Sequence, residues 1–338
     1  MNLGTYIARR LGLMIFVLSG VLVITFLVSH VVPADPVAAA LGSQAPADLI
    51  DKVRHEWGLD LPLHEQFINY MWNVLHGDLG KSIRTDKPVA EDLLRYFPAT
   101  IELSTAAIIL AIVMSIPLGI VSAVRRNRLS DHLTRVFSIF GISMPVFWLG
   151  LLLLAALYYK LGLMPSPGQL DMLLPPPPRV TGFITVDSLL AGDWKVLFNY
   201  LSHLILPAFV LGFASLASIT RITRSSMLEV LRQDYIRTAR AKGLRRRVVI
   251  TRHALRNALI PTTTVIGLRF GSLLEGAVLT ETIFAWPGLG RYAVGAILYL
   301  DFPAIMGSVL AIAVIYSLAN LVVDIVYGFL DPRIRVGE

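Results

Sequence analysis

Six apolar stretches, most of them close to the twenty residues that a helix needs to cross a bilayer, dictate what this chain can fold into. They run approximately over 11–30, 101–124, 136–159, 204–220, 259–281 and 304–330. A backbone in hydrocarbon must satisfy its own hydrogen bonds, and a helix does so within one segment. The expected class is therefore an all-α membrane protein with six transmembrane helices. Composition agrees: 55% of the 338 residues are hydrophobic and only 16% are charged, against roughly 25% charged in a soluble domain. The first stretch, preceded by Arg9 and Arg10, is too long for a cleaved leader and is expected to stay as an anchor.

The placement of Lys and Arg sets the expected orientation. The N-terminal tail, the connection holding Arg125, Arg126, Arg128 and Arg135, the stretch 221–261 and the tail with Arg333 and Arg335 alternate with the other connections. Together they hold 19 of the 30 basic residues. Both termini are thus expected in the cytoplasm. The chain divides into a tail and first span (1–30), an extracytoplasmic helical region (31–99) and a core of five spans (100–338).

The first outer region is long enough to fold. Leu49, Ile50, Val53 and Trp57 recur at helical spacing up to Gly58, and Leu63, Phe67, Tyr70, Met71, Val74 and Leu75 do so up to Gly77. Two amphipathic helices with glycine stops are predicted, either meeting an external partner or packed on themselves. The second outer loop, 160–203, carries Pro165, Pro167 and Pro175 to Pro178. Proline blocks helix there and favours a rigid extended spacer.

No chemistry of catalysis emerges. Gly80-Lys81-Ser82 lacks the glycine five positions earlier that a phosphate loop needs. The seven histidines show no metal-binding spacing, cysteine is absent, and no serine sits in a nucleophile elbow. Neither a cofactor nor a metal is expected on this chain. Arg269, Glu275 and Asp324 fall inside predicted spans. Each costs on the order of 2.5–3.5 kcal/mol if it faces lipid, so they belong in the bundle, lining a pathway or pairing between helices. Pro117, Pro145, Pro207 and Pro261 sit in or beside spans, where proline frees a carbonyl and favours a kink.

The stretch 221–261 stands apart. It holds eleven Arg/Lys against Glu229 and Asp234. Met227, Leu228, Leu231, Tyr235 and Ala239 form one apolar stripe, which Ser226 can start and Gly243 can end. A second helix is predicted from near Arg245 into the fifth span. The arginines can fix topology, grip anionic membrane lipid or meet a protein. Nucleic acid is a poor fit, because no aromatic stacking platform accompanies them.

At this point the residues resemble a family. Asp234-Tyr235-Ile236-Arg237-Thr238-Ala239-Arg240-Ala241-Lys242-Gly243-Leu244 looks like the EAA loop of binding-protein-dependent ABC importer permeases, in its dipeptide/oligopeptide form. His253-Ala254-Leu255-Arg256-Asn257-Ala258 with Pro261, and Thr280-Glu281-Thr282-Ile283-Phe284-Ala285-Trp286-Pro287-Gly288-Leu289-Gly290-Arg291, match further family stretches. So do Pro33-Ala34-Asp35-Pro36, Gly77-Asp78-Leu79-Gly80 and Asp331-Pro332-Arg333-Ile334-Arg335. Thr181-Gly182-Phe183 leans toward the dipeptide-type first permease. Arg237 stands where the general motif has glutamate, as it does in the peptide branch.

The resemblance implies a type I ABC importer permease in the bacterial inner membrane, itself not an enzyme. Asp234, Tyr235, Arg237, Thr238, Ala239, Arg240, Ala241, Lys242 and Gly243 would form a coupling helix docked in a cytoplasmic ATPase, with Ala239 and Ala241 small enough for close approach. Pro145, Arg269, Glu275 and Asp324 would border the pathway. The implied partners are a homologous second permease, two ATPases carrying ATP and Mg, and an extracytoplasmic substrate-binding protein. Dipeptides, longer peptides, glutathione, opines, haem and nickel chelates all remain open as substrates. A self-sufficient secondary transporter or channel, driven by an ion gradient, is the alternative from a different class.

Overall fold

The structure is a computed structural model that describes residues 3–31, 37, 46–56 and 58–330. Among these residues it is helical, with a single isolated bridge between Lys81 and Pro88. The first helix, α1 (Leu3–Val31), precedes two short outer helices, α2 (Ala47–Glu56) and α3 (Leu63–Leu75). They match the amphipathic pair predicted from spacing, and Gly58 and Gly77 follow them in left-handed conformations, φ 66° and 81°. Phe26 of α1 packs edge-on against Phe67 of α3, with ring centroids 5.2 Å apart.

Two helices far longer than a span form the centre: α4 (Val89–Val124, 36 residues) and α8 (Trp194–Val230, 37 residues). Within its apolar stretch α8 is 83% buried, against 11% for α1 and for the last helix, α13 (Phe302–Leu330). So α8 is the axis of the bundle, while α1 and α13 lie at its rim and pack on each other. Small residues let the axis helices touch. A Cβ at Gly212 of α8 would sit 2.6 Å from the carbonyl oxygen of Ala107 on α4, the close approach that drives helix association in lipid.

Between them lie α5 (Leu129–Ser143) and α6 (Val146–Leu153), the latter continuing as a π-helical turn, Leu154–Lys160. The third predicted span, 136–159, contains Pro145, and the chain bends there by 108°. Met144 precedes proline and is extended, φ −81° and ψ 126°, because the proline ring disfavours the helical region for its neighbour. Pro98, Pro117, Pro207 and Pro261 lie within helices that continue through them.

A short outer helix, α7 (Ile184–Ala191), precedes α8. After α8 come α9 (Asp234–Ala241), one turn α10 (Arg246–Val248), a π-helical stretch (Val249–Ala254), α11 (Leu255–Ile283) and α12 (Leu289–Leu298). Among the described residues four helices are long and apolar enough to cross a membrane, and the bent pair α5–α6, taken as one span, makes five. The fifth predicted span falls in α11, whose 29 residues reach roughly 43 Å at 1.5 Å per residue. It carries Arg256, Arg269, Glu275 and Glu281, and is not among those five.

Five carboxylates are buried in the half of the bundle that holds α3, α7 and α12: Asp92, Glu102, Asp187, Glu281 and Asp301. None is held by a cation among the described residues. Glu102 accepts from Tyr200 Oη at 2.7 Å and from the Thr185 amide at 2.8 Å, fastening α7 to α4 and α8. Asp187 accepts the Thr181 and Gly182 amides at 2.8 and 2.9 Å. Burial alone would raise the Asp187 pKa, but these donors outweigh it and hold it below the usual carboxylate range.

Glu281, fully buried, accepts from Thr100 Oγ1 at 2.6 Å and from the Arg291 amide at 3.0 Å. It lies against Gly288, where a Cβ would overlap its carboxylate, while Trp286 Nε1 donates to the Ala99 carbonyl at 2.9 Å. Gly288→Ala is expected to displace the carboxylate, part α12 from α4 and lower the unfolding midpoint of the purified protein by several degrees. Gly77→Ala, with nothing within 4 Å of its Cβ, serves as the comparison for backbone strain alone.

Candidate functional site

The stretch 221–261 is not one loop. Its first ten residues continue α8 through Val230, so Ser226 is a buried residue inside a helix and caps nothing. Arg224 is likewise not a loop cation. Its Nε donates to Asp131 Oδ1 at 2.6 Å and its second guanidinium nitrogen to Oδ2 at 3.0 Å. Asp131 is fully buried and also accepts from Ser122 Oγ at 2.7 Å and the Asn127 amide at 2.9 Å. This knot ties α4, α5 and α8 together at the basic end.

The apolar stripe read as one helix is split by a turn over residues 231–233, and α9 starts afresh at Asp234. It is strongly two-faced. Ile236 (0% exposed) and Ala239 (6%) pack with Ala123, Met227, Val249, Ala254 and Ala258 in one apolar cluster. Asp234, Tyr235, Arg237, Thr238, Arg240, Ala241, Lys242 and Gly243 are exposed. Ala239 therefore meets its own chain, and of the two alanines only Ala241 is open to a partner.

Among the described residues Arg237 reaches Asp234 alone, at 3.4 Å. Tyr235 Oη accepts from Asn257 Nδ2 at 2.7 Å, joining α9 to the start of α11. Gly243 takes φ 75° as its amide donates to the Arg240 carbonyl at 2.9 Å, and the chain reverses into α10. A glycine reaches this region without steric cost.

The other sequence-selected residues are elsewhere. Arg269 donates to Ser218 Oγ on α8 at 2.8 Å. Ser218 lies twelve residues before the end of α8, about 18 Å along the axis, so Arg269 belongs to the bundle and not to the α9 surface. Pro145 is exposed at the bend. Glu275 and Asp324 lie on α11 and α13, but their side chains fall outside the described residues, as do the motifs at 33–36 and 331–335. Among the described residues no group of three acidic, histidine or cysteine side chains is placed to hold a metal ion.

Asp131 and the five buried outer carboxylates were not singled out for these roles by sequence reasoning. Glu281 stood in a recognised stretch, and the donors of Asp187 are its near neighbours, but Asp92, Glu102 and Asp301 draw donors from as far as 219 residues away.

A polytopic helical bundle with a two-faced helix at its basic end is the class of a membrane transport component, and the family comparison agrees. The chain belongs to the family of binding-protein-dependent transport system inner membrane components, matched over residues 115–336, with the corresponding N-terminal component over 3–104. It is 50% identical over 337 residues to a probable D,D-dipeptide transport system permease protein of Escherichia coli K12, covering 100% of this chain and 99% of that one. It is 46% identical to a di/tripeptide transport system permease protein of Pseudomonas aeruginosa, covering 98% of each. A glutathione transport system permease protein of Escherichia coli O6:H1 is 38% identical, with 98% of each covered. This chain is a multi-pass permease of the bacterial inner membrane.

Proposed function

We propose that this chain forms half of the translocation pathway of an ATP-driven importer of di- or oligopeptides. In this reading α9 docks into a cytoplasmic ATPase. A homologous permease supplies the other half, a second ATPase serves that half, and an external binding protein delivers the solute. ATP and Mg reside on the ATPases. The spans number six, with α11 as the fifth and the bent α5–α6 pair as the third, and both termini lie in the cytoplasm.

The observation that carries this is the division of α9. A helix that is exposed on one face and locked into the core on the other behaves as a lever. Its open face presents Arg237, Thr238, Arg240 and Ala241 to a partner. Its closed face bears on Met227 at the foot of α8 and on Ala254 and Ala258 at the start of α11. Displacing α9 must displace both helices, because close-packed interfaces shift as units and do not deform smoothly. The Tyr235–Asn257 bond adds a polar tie in the same direction. The peptide substrate is supported by relatives whose names specify dipeptides and di/tripeptides.

Arg237→Glu combined with Arg240→Glu tests the docking. Both side chains are exposed, so the chain should still insert and pair with its permease partner. ATPase recovered with the permease is expected to drop at least tenfold. Normal co-purification together with normal uptake would refute the docking role of α9.

A further inference from the structure

At the end of the bundle proposed to face outward, the charges are sorted in an unusual way. Of the exposed acids there, Asp86 pairs with Lys81 at 2.6 Å and Glu91 with Lys87 at 3.3 Å, while Asp78 accepts from the Gly80 amide and Asp171 from Asn199. The buried acids are satisfied by hydroxyls and amides: Glu102, Asp187 and Glu281 as described above, Asp92 by the Thr85 and Tyr292 hydroxyls, and Asp301 by the Ser82 hydroxyl and the Ala304 amide. Four exposed arginines remain, Arg84, Arg95, Arg179 and Arg291. Among the described residues none of the four makes an ion pair.

They form an arc around the first turns of α4. Arg179 donates to the Leu94 carbonyl at 3.4 Å, beside Arg95. The Arg291 amide meets Glu281, which Thr100 of α4 also bonds. Arg84 lies over the ring of Tyr292, whose hydroxyl donates to Asp92 of α4 at 3.3 Å.

Arg84 is the most constrained of the four. Its guanidinium carbon is 5.9 Å from the ring centre of Tyr292 and 5.7 Å from that of Tyr299. Gly295 lies beneath it, where a Cβ would come within 3.4 Å of the guanidinium. Its backbone is pinned as well, since the Arg84 amide donates to buried Asp301 at 3.1 Å. Among the described residues the guanidinium meets these two rings and donates no hydrogen bond within the chain. Beside it, Leu298 and Tyr299 are 77% and 62% exposed at the end of α12. A preorganised arginine with exposed aromatic and aliphatic neighbours has the composition of a protein-binding hot spot, and arginine's planar fork suits a carboxylate.

We propose that this arginine arc, centred on Arg84, is a docking surface for an acidic face of the extracytoplasmic binding protein. The inference rests on the proposed function. A protein is favoured over a small anion because four cations are spread around α4 and the exposed Leu298 and Tyr299 adjoin Arg84. Carboxylates on the partner would take the donor positions that the chain's own acids leave open.

The test uses the whole importer in nanodiscs and measures the Kd of its binding protein over a salt series. The Kd of the wild type is expected to rise steeply with salt. Arg84→Glu should raise it at least tenfold at low salt, Arg84→Lys less, and glutamine at all four arginines should flatten the salt dependence. Basal ATP hydrolysis and the unfolding midpoint should stay at wild-type values, which separates docking from misfolding.

A Kd within twofold of wild type in both Arg84→Glu and the fourfold variant overturns the inference. An unchanged Kd with a raised KM for peptide also overturns it, assigning Arg84 to the substrate carboxylate. Dependence on anionic lipid content alone overturns it in favour of a headgroup. A wild-type importer that captures no binding protein refutes the proposed function and this inference together, whereas normal capture with unaffected variants refutes this inference alone.

Discussion

Gly243→Pro is expected to abolish solute uptake while leaving the chain inserted and assembled. Proline fixes φ near −65°, and Gly243 sits at φ 75°. The substitution also removes the amide that bonds the Arg240 carbonyl at 2.9 Å. The reversal between α9 and α10 cannot form, so α9 is re-aimed relative to α11. No neighbour lies within 4 Å of a Cβ at this site, so the effect comes from the backbone and not from a clash. Gly243→Ala and Gly243→Asn separate the two: asparagine tolerates the left-handed region better than alanine and should keep more activity. Uptake by proteoliposomes is expected to fall more than tenfold in the proline variant, with ATP hydrolysis persisting but no longer answering to substrate. Uptake near the wild-type rate would remove Gly243 from the coupling path.

The second large effect is expected at Asp131. Its carboxylate is completely buried and bonds both Arg224 and Ser122. Breaking a buried pair from one side costs roughly 3–5 kcal/mol, because the remaining charge loses its partner. Asp131→Leu should therefore lower the unfolding midpoint markedly. The double change Asp131→Leu with Arg224→Met should recover much of that loss, since neither charge is then stranded. Arg224 lies in the last two turns of α8, so the knot anchors the end of the helix that leads into α9. Uptake is expected to fall in the single variant beyond what stability explains. A double variant as unstable as the single one would show that the pair is not the source of the effect.

What could be read from the sequence was local. The spacing of Leu63 to Leu75 before Gly77 specified α3, and it is there. Gly243 was placed at a reversal, and it makes one. The lengths of α4 and α8 were not legible. Apolar runs gave only the later part of α4 and the middle of α8, because Glu91 and Asp92 precede the run in α4, Glu102 stands near its start and the arginines interrupt α8. Those polar residues stay helical because they find distant partners: Asp92 in Tyr292, Glu102 in Tyr200, Arg224 in Asp131. Proline was equally ambiguous. Pro117, Pro207 and Pro261 lie inside continuous helices, and Pro145 marks a bend of 108°. Local rules predict a kink at each, and packing decides which becomes a break. The two faces of α9 were hidden for the same reason. An alanine in a basic stretch gives no sign of whether it meets its own core or a partner.

The central claim is that this chain moves solute only as the driven half of an ATP-powered machine. Uptake by proteoliposomes tests it most directly, with the energy source as the variable. The complete importer, with binding protein outside and ATP enclosed, is expected to accumulate peptide with no ion gradient present. The two permeases without their ATPases are expected to accumulate none, whatever proton or sodium gradient is imposed. Accumulation that follows the ion gradient in the absence of any ATPase would contradict the account and make this chain part of a secondary transporter.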